Sequence, residues 1–474
     1  MTHPRSVSIV GAGVAGLAAG VLLARRGVQV QVFEAAGKPG GCCANTSLGG
    51  FTFHDGAVFL GLPGVLDAVF AELDLDRARL LPLRRIDPSY CVHLPDDSTV
   101  AIGAGAIRVG ERQVSEPEVA AFLARWRPVL RLLTGELLLR PFSVWRALTR
   151  GGLQLLKLRG TAGAELRRSF TDEAVRSALA GTLLFAGAAA DHLPASAVVA
   201  LAALLDEGFF LPVGGMGRIP EVLAQALVAA GGELHLGRRV QRIVVEGRRV
   251  RGLEVEALGR VDSDTVLSTV SGMATFLRLL APEVTPSPMR RKAEAAPLSH
   301  QAVSVQLGLT NRIESTAHSS AVVPMMAEQQ RVFSSERDTP WLNWAVPTMT
   351  VPELAPPGGS VVEIFCPLPP RSGSDARRDA ELADRAVELL ARRHRLDVSV
   401  RRVRGPQQFE EEMNLFAGAL YGLSPAASPR CQFPHRTPVP GLFLAGQTTY
   451  PGYGAHLAAR SGVIAARSLL GELR

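Results

Sequence analysis

The chain has 474 residues, 47% of them hydrophobic, and 51 basic against 44 acidic side chains give it a formal charge of +7. That length exceeds one ordinary domain and supports a large core, so two intertwined domains are expected. The basic balance points to an anionic membrane surface or to no partner at all; with no nucleic-acid module and no basic tail interleaved with aromatics, nucleic acid is excluded as a partner.

Residues Met1 to Arg5 run straight into a short apolar strand (Val7, Ile9, Val10), without the apolar segment and cleavage site of a secretory leader. The strand enters Gly11, Gly13 and Gly16, and a helical run follows with Leu17, Val21, Leu22 and Leu23 on its apolar side. Gly27 breaks that helix, and Val28, Val30 and Val32 alternate with glutamines as a second strand ending on Glu34. This is a complete βαβ dinucleotide fingerprint. Gly11 permits the tight turn, Gly13 lets the backbone approach a pyrophosphate, and Gly16 lets helix pack on strand, with Ala15 in the same turn. The helix N-terminus offers free N–H groups to phosphates. Glu34 is placed to accept from ribose hydroxyls and to repel a 2′-phosphate, which argues against NADP. The bland alternative is a glycine-rich turn in an ordinary α/β protein, which the two strands, helix and acid together disfavour.

Past Glu34 come Gly40-Gly41-Cys42-Cys43 and Gly50-Phe51-Thr52-Phe53-His54-Asp55-Gly56. Two successive glycines there suit a backbone passing under the rest of an FAD. At this point the sequence resembles the FAD enzymes that include phytoene desaturases, carotenoid isomerases and retinol saturases, relatives of the flavin amine oxidases. That family shows GGR or GGK and then Phe-Asp-x-Gly; here Cys42 replaces the basic residue and His54 the Asp, and GGCC looks most like the retinol saturase branch. The resemblance implies an α/β fold, a Rossmann-type FAD-binding domain interleaved with a mixed α+β substrate domain. It implies hydride movement between flavin N5 and a C–C or C=C bond of an apolar isoprenoid or polyene, with quinone or oxygen as electron acceptor.

Prolines 63, 82, 88 and 95 punctuate a segment that leaves the nucleotide domain. Helical patterns then cover Ala121 to Leu139 and Phe142 to Leu158, rich in Leu and Arg and carrying Trp126 and Trp145. Such a basic face with tryptophans is a candidate peripheral membrane contact; the alternative is an amphipathic cap over a substrate cavity. No stretch offers about 18 to 20 uninterrupted apolar residues, so no spanning helix is expected. Helices continue from Thr171 to Leu205. Pro212 to Pro220 is a glycine-rich turn into a helix running to about Ala230, and Leu234 to Val245 and Arg249 to Val255 read as a hairpin around Glu246-Gly247. In the resembled family a residue matching Val240 meets the adenine end of FAD through its backbone. Strand Asp264 to Val270 returns to the nucleotide domain. A second excursion spans roughly Pro286 to Val403, with strands at Ser304 to Leu309 and Val361 to Cys366 and a helix at Glu381 to His394. The expected domains are thus 1–60, 206–285 and 404–474 for FAD, and 61–205 with 286–403 for the substrate.

Gly441 to Gly446 is a buried strand stopping on glycine, followed by Gln447 to Tyr450, Pro451-Gly452-Tyr453-Gly454 and a helix from Ala455. Strand, glycine loop and helix make a second anion-cradling turn. The resemblance assigns Gly446, Gln447, Gly454 and Ala455, with Gly11, Gly13, Ala15, Gly16, Glu34, Gly40, Gly41, Cys42 and Val240, to FAD. Candidate proton-handling residues are His456, expected to titrate near neutrality, and His54, which with Asp55 is expected in a surface turn. Cys42 and Cys43 adjoin the expected flavin, though adjacent cysteines make a poor disulfide. The five cysteines, odd in number and scattered, form no disulfide framework and no zinc site, which points to a reducing cytoplasm, with membrane association where the basic helices lead. The competing readings are an oxidase or desaturase of an amine or natural-product intermediate, and a flavin-bound scaffold whose site has decayed.

Overall fold

The computed structural model describes residues 6–114, 116–333 and 341–472; Met1 to Arg5, on which the expectation about a leader falls, lie outside them. The fingerprint folds as its periodicities dictate. Strands β1 (Ser6–Val10), β2 (Gln29–Phe33), β3 (Glu233–His235), β4 (Val266–Ser268) and β5 (Leu442–Leu444) form one parallel sheet in the order β3-β2-β1-β4-β5. A parallel sheet is covered on both faces, which is why these short strands are apolar on both sides. On one face Val7, Ile9, Val32 and Leu267 pack beneath helices α1 (Val14–Arg25), α2 (Arg218–Ala229) and α3 (Ala455–Leu469). On the other, Val10, Phe33, Val266 and Leu442 pack against the antiparallel sheet Val240–Glu246, Arg249–Val255, Gly259–Asp262. The strand order reverses between β1 and β4, and the crevice beyond their carboxyl ends is where such a sheet binds its ligand.

The run from Leu234 to Val245 is not one strand. Gly237, at φ +63, ends β3; its N–H donates to Ala36 O (2.9 Å) and the Arg238 N–H to Glu34 O (2.7 Å), folding the chain back on β2. Val240 then opens the separate antiparallel sheet.

The second layer is a nine-stranded sheet drawn from two distant parts of the chain. Val398–Arg404, Gln301–Leu309, Ser360–Leu368, Leu342–Ala345 and Ser319–Val322 supply one part; Tyr90–His93, Thr99–Gly103, Ala106–Val109 and Arg112–Gln113 supply the other. The two parts join through the one parallel pairing in it, Ser319–Val322 with Tyr90–His93. Helices Glu116–Leu132, Ala162–Ser169, Glu173–Leu183 and Val198–Asp206 cover its far half. The α/β architecture with an interleaved mixed domain is therefore as the sequence indicates. The two tryptophans of the cap differ: Trp126 is fully buried, its indole N–H donating to Glu165 Oε1 (3.2 Å), whereas Trp145 is 76% exposed.

Candidate cofactor and substrate site

The glycines of the first turn do three different jobs. Gly11 holds φ +98 with its Cα against Thr269, and a Cβ on Gly16 would fall 2.1 Å from Gly11 O, so α1 can approach β1 only without one. A Cβ on Gly13 would meet nothing within 4 Å, so this backbone faces open space as a phosphate cradle must. Gly13 and Gly454 are the N-caps of α1 and α3, and neither helix end has a side-chain cap, leaving N–H groups for an anion. Ala15 is buried at the crossing of α1 with α3, where Gly462 rides directly over its carbonyl.

Glu34 closes the turn from the side. Its carboxylate accepts from the Ala12 N–H (2.8 Å) and the Ala36 N–H (2.9 Å), at the end of β2 where a ribose would lie. The Gly40 N–H donates to Ala12 O (2.9 Å), bringing Gly40 and Gly41 against Gly13, with Cys42 following in a short helical turn. Gly446, at φ +104, lies near Thr269 O; its N–H donates to Ser461 Oγ (3.0 Å), and Thr449 Oγ1 donates to its carbonyl (2.8 Å). Gln447 is half-buried beside it, and Ala455 is the buried first residue of α3. Val240 is buried in the core shared with Val10 and Phe33. Thr269 went unread in the sequence: its hydroxyl donates to Val10 O (2.8 Å) and wedges between Gly11 and Gly16 while its carbonyl meets Gly446, joining the two glycine turns. These donors, this open glycine and this carboxylate fit a dinucleotide such as FAD.

The expectation of a surface turn at His54-Asp55 is overturned. Both are buried, because the hairpin Asn45–Leu48/Phe51–His54 tucks under the nine-stranded sheet. The His54 N–H donates to Glu363 Oε1 (2.6 Å), and its Nδ1 lies 3.0 Å from Glu363 Oε2. Asp55 pairs with Lys38 (3.0 Å) and Arg402 (3.1 Å), and Arg404 donates to its backbone carbonyl (2.7 Å). His54 thus sits at a seam between the two sheets, bound to partners some 300 residues away in sequence, which no local pattern could indicate.

His456 does not titrate near neutrality: burial lowers its pKa to about 4, so it is neutral at pH 7. Cys42 and Cys43 are free, and burial pushes Cys42 up to about 11 and Cys43 further, so neither is a thiolate. The Tyr450 hydroxyl donates to Leu137 O of the cap (2.5 Å), and Tyr453 lies 4.6 Å, centroid to centroid, from Tyr421.

A family model described as flavin containing amine oxidoreductase matches residues 14–470. The chain is 29% identical to a zeta-carotene-forming phytoene desaturase of Myxococcus xanthus, over 96% of this chain and 91% of that one. It is 27% identical to a lycopene-forming phytoene desaturase of Pseudescherichia vulneris, over 94% and 95%. Among solved structures, an oxidoreductase from Methanosarcina mazei superposes with a TM-score of 0.66 at 17% identity, covering 97% of this chain and 99% of that one. A putrescine oxidase mutant gives 0.63 at 16%, covering 99% of each. At those identities the structural likeness speaks for the fold alone.

Proposed function

The chain belongs to the flavin containing amine oxidoreductases; it is an FAD-dependent oxidoreductase acting on CH–CH bonds, and we propose that it desaturates an apolar isoprenoid polyene. The observation that carries this reading is end-to-end similarity to phytoene desaturases, together with the two glycine turns that Thr269 brings to one crevice. Bound FAD supplies the hydride acceptor. The residues of the chain do the rest. The α1 N-terminus would hold the phosphates and Glu34 the ribose, and the Gly40–Cys42 and Tyr450–His456 segments would flank the isoalloxazine. Desaturation also releases a proton from the neighbouring carbon. His456 is neutral at pH 7, its pKa lowered to about 4 by burial, so it is a weak base and a poor carrier for that proton.

Peripheral membrane contact belongs to the same reading. Phe142, Val144, Trp145 and Leu148 are each more than half exposed around helix Val144–Gly151, beside the exposed Arg140 and Arg150. An apolar ridge edged with arginines suits an anionic bilayer surface. Phe142 packs against Tyr450 (5.7 Å between centroids), so the ridge adjoins the cofactor-side loop. Among the described residues no helix is long and apolar enough to cross a membrane. A membrane quinone is the acceptor this placement favours, with oxygen as the alternative.

The test is anaerobic. Holoprotein on liposomes is mixed with a polyene or with putrescine, and the flavin band is followed; quinone or air is then admitted. Bleaching by the polyene and fast recovery with quinone are expected. Bleaching by putrescine alone overturns the reading.

A further inference from the structure

Cys42 stands where the resembled family has an arginine or lysine, so the Gly40–Cys42 turn carries no cation of its own. A cation approaches that turn from the far end of the chain. Arg404 ends strand Val398–Arg404; it is 2% exposed, and its Nη2 donates to Asp55 O (2.7 Å). Asp55 to Ala57 in turn runs alongside Cys42 to Ala44. The Asp55 N–H donates to Ala44 O (2.8 Å) and the Ala57 N–H to Cys42 O (2.9 Å). A Cβ on Gly56, between them, would fall 2.8 Å from Cys42 O. A single stretch of backbone therefore lies between the guanidinium and the turn, and the charge is felt across it. Burial pushes the Cys42 thiol up, and the Arg404 charge is the largest influence drawing it back.

This guanidinium is short of negative charge. Its contact with the Asp55 carboxylate is 3.6 Å long, and that carboxylate is already held more closely by Lys38 (3.0 Å) and Arg402 (3.1 Å). Glu412 lies 3.9 Å away, is exposed, and pairs with Arg402 at 2.7 Å. Glu363 is committed to His54. Three cations thus share two carboxylates. Arg404 meets the Phe409 ring (4.9 Å) and the Met413 sulfur (3.5 Å) on its other sides, and its Nε is buried without a partner. Burying a cation is costly unless negative charge compensates it, and here the compensation within the described residues is incomplete.

The reaction itself produces the missing charge. A hydride leaving the substrate carbon carries two electrons to the flavin, and the neutral ring becomes an anion until it takes up a proton. Resting on the flavin reading above, we propose that Arg404 supplies the positive charge that stabilises the reduced flavin, acting through the Cys42 to Ala57 backbone rather than by contact, in place of the basic residue missing at position 42. A charge fixed in a dry site needs no rearrangement when the anion forms, so its field acts in full on the reduced state. Arg404 is accordingly a residue that tunes the cofactor and does not handle the substrate.

The probe is sulfite, titrated into the holoprotein with no polyene present. Its sulfur forms a bond to flavin N5, no bond breaks, and the ring becomes anionic, so the Kd read from bleaching of the flavin band reports the charge around the ring. Arg404→Met is expected to weaken sulfite by about tenfold or more, the scale of one charge acting over about 10 Å at an effective dielectric constant near 20. It is also expected to lower the flavin reduction potential in dye equilibration. Arg404→Lys, which keeps the charge, should restore most of the affinity. Glu412→Gln removes a carboxylate from the same cluster at an exposed position and is expected to act in the opposite direction, tightening sulfite. A purely structural role would make both neutralising variants weaken sulfite or leave it unchanged, and either result overturns the proposal while leaving the flavin reading intact. If Arg404→Met does not fold, Glu412→Gln decides alone, and sulfite affinity no tighter than the parent's overturns the proposal. A parent protein that takes up no FAD removes the flavin reading as well.

Discussion

Single residues separate cofactor binding from folding in the first turn. Gly13 and Gly16 look alike in the motif but differ in what a methyl group would meet: open space at one, a carbonyl oxygen at 2.1 Å at the other. Gly13→Ala should leave the apoprotein as stable as the parent while weakening FAD; Gly16→Ala should cost stability by about 1–3 kcal/mol or more, from overpacking. Melting of the apoprotein beside FAD titration tells them apart, and equal effects on both would contradict the assignment. Burial also sets a pH dependence. His300 is lowered to about 4 and His318 to about 3, against an ordinary value near 6.5. Between those values and 6.5 the unfolded chain binds more protons than the folded one, so stability rises with pH there. It is fully present above about pH 6.5 and lost as the pH falls towards 4, by up to about 3 kcal/mol for His300 alone. Urea midpoints from pH 7 to 4 should fall, and fall less steeply in His300→Phe. What the sequence disclosed at this scale was the glycines of the two terminal turns, because spacing carries them, whereas Gly237 and Gly462, equally a matter of backbone geometry, went unread. Thr269 and the Asp55 ion pairs were illegible, since their partners are brought in by the fold.

At the scale of elements, legibility followed periodicity. The α1 and α3 helices and the strands feeding the glycine turns appear close to where hydrophobic spacing puts them. Strands Tyr90–His93, Thr99–Gly103 and Ala106–Val109 were not read from the sequence, being short and paired mainly with one another and with Ser319–Val322. The arginine-rich cap was legible as amphipathic, but only packing decides which tryptophan faces out. Trp126 is fixed in the core by Glu165, and Trp145 is left at the surface. The proposed membrane contact therefore falls on helix Val144–Gly151. Trp145→Glu with Leu148→Glu should leave melting unchanged, since both side chains are exposed, and reduce sedimentation with anionic liposomes by about tenfold or more, from the apolar area no longer buried. Unchanged sedimentation would assign the surface no such role.

For the molecule as a whole, the question is what couples the cap to the cofactor, since the helical cap and the parallel sheet bury largely different residues, with Phe209 packed against both cores. Two side chains from the last segment of the chain cross that division. Tyr450, in the turn after β5, donates to Leu137 O, and the buried Arg460 of α3 donates to Leu139 O while pairing with Glu72. Both receiving carbonyls lie just before the exposed ridge of Phe142 and Trp145, so that ridge is tied to α3 and the turn before it. Arg460→Met removes a charge-assisted link worth about 1.5–3 kcal/mol and frees the Leu139 carbonyl; Tyr450→Phe removes about 1 kcal/mol. If the tie positions the cap, Arg460→Met should raise amide exchange through residues 133–158 and slow flavin bleaching by a liposome-borne polyene. Dithionite, which needs no cap, should reduce the flavin as fast as in the parent. Slowing of both reductants alike would instead place Arg460 in the cofactor cradle itself, and an unchanged exchange pattern would show that the cap is held by its own core.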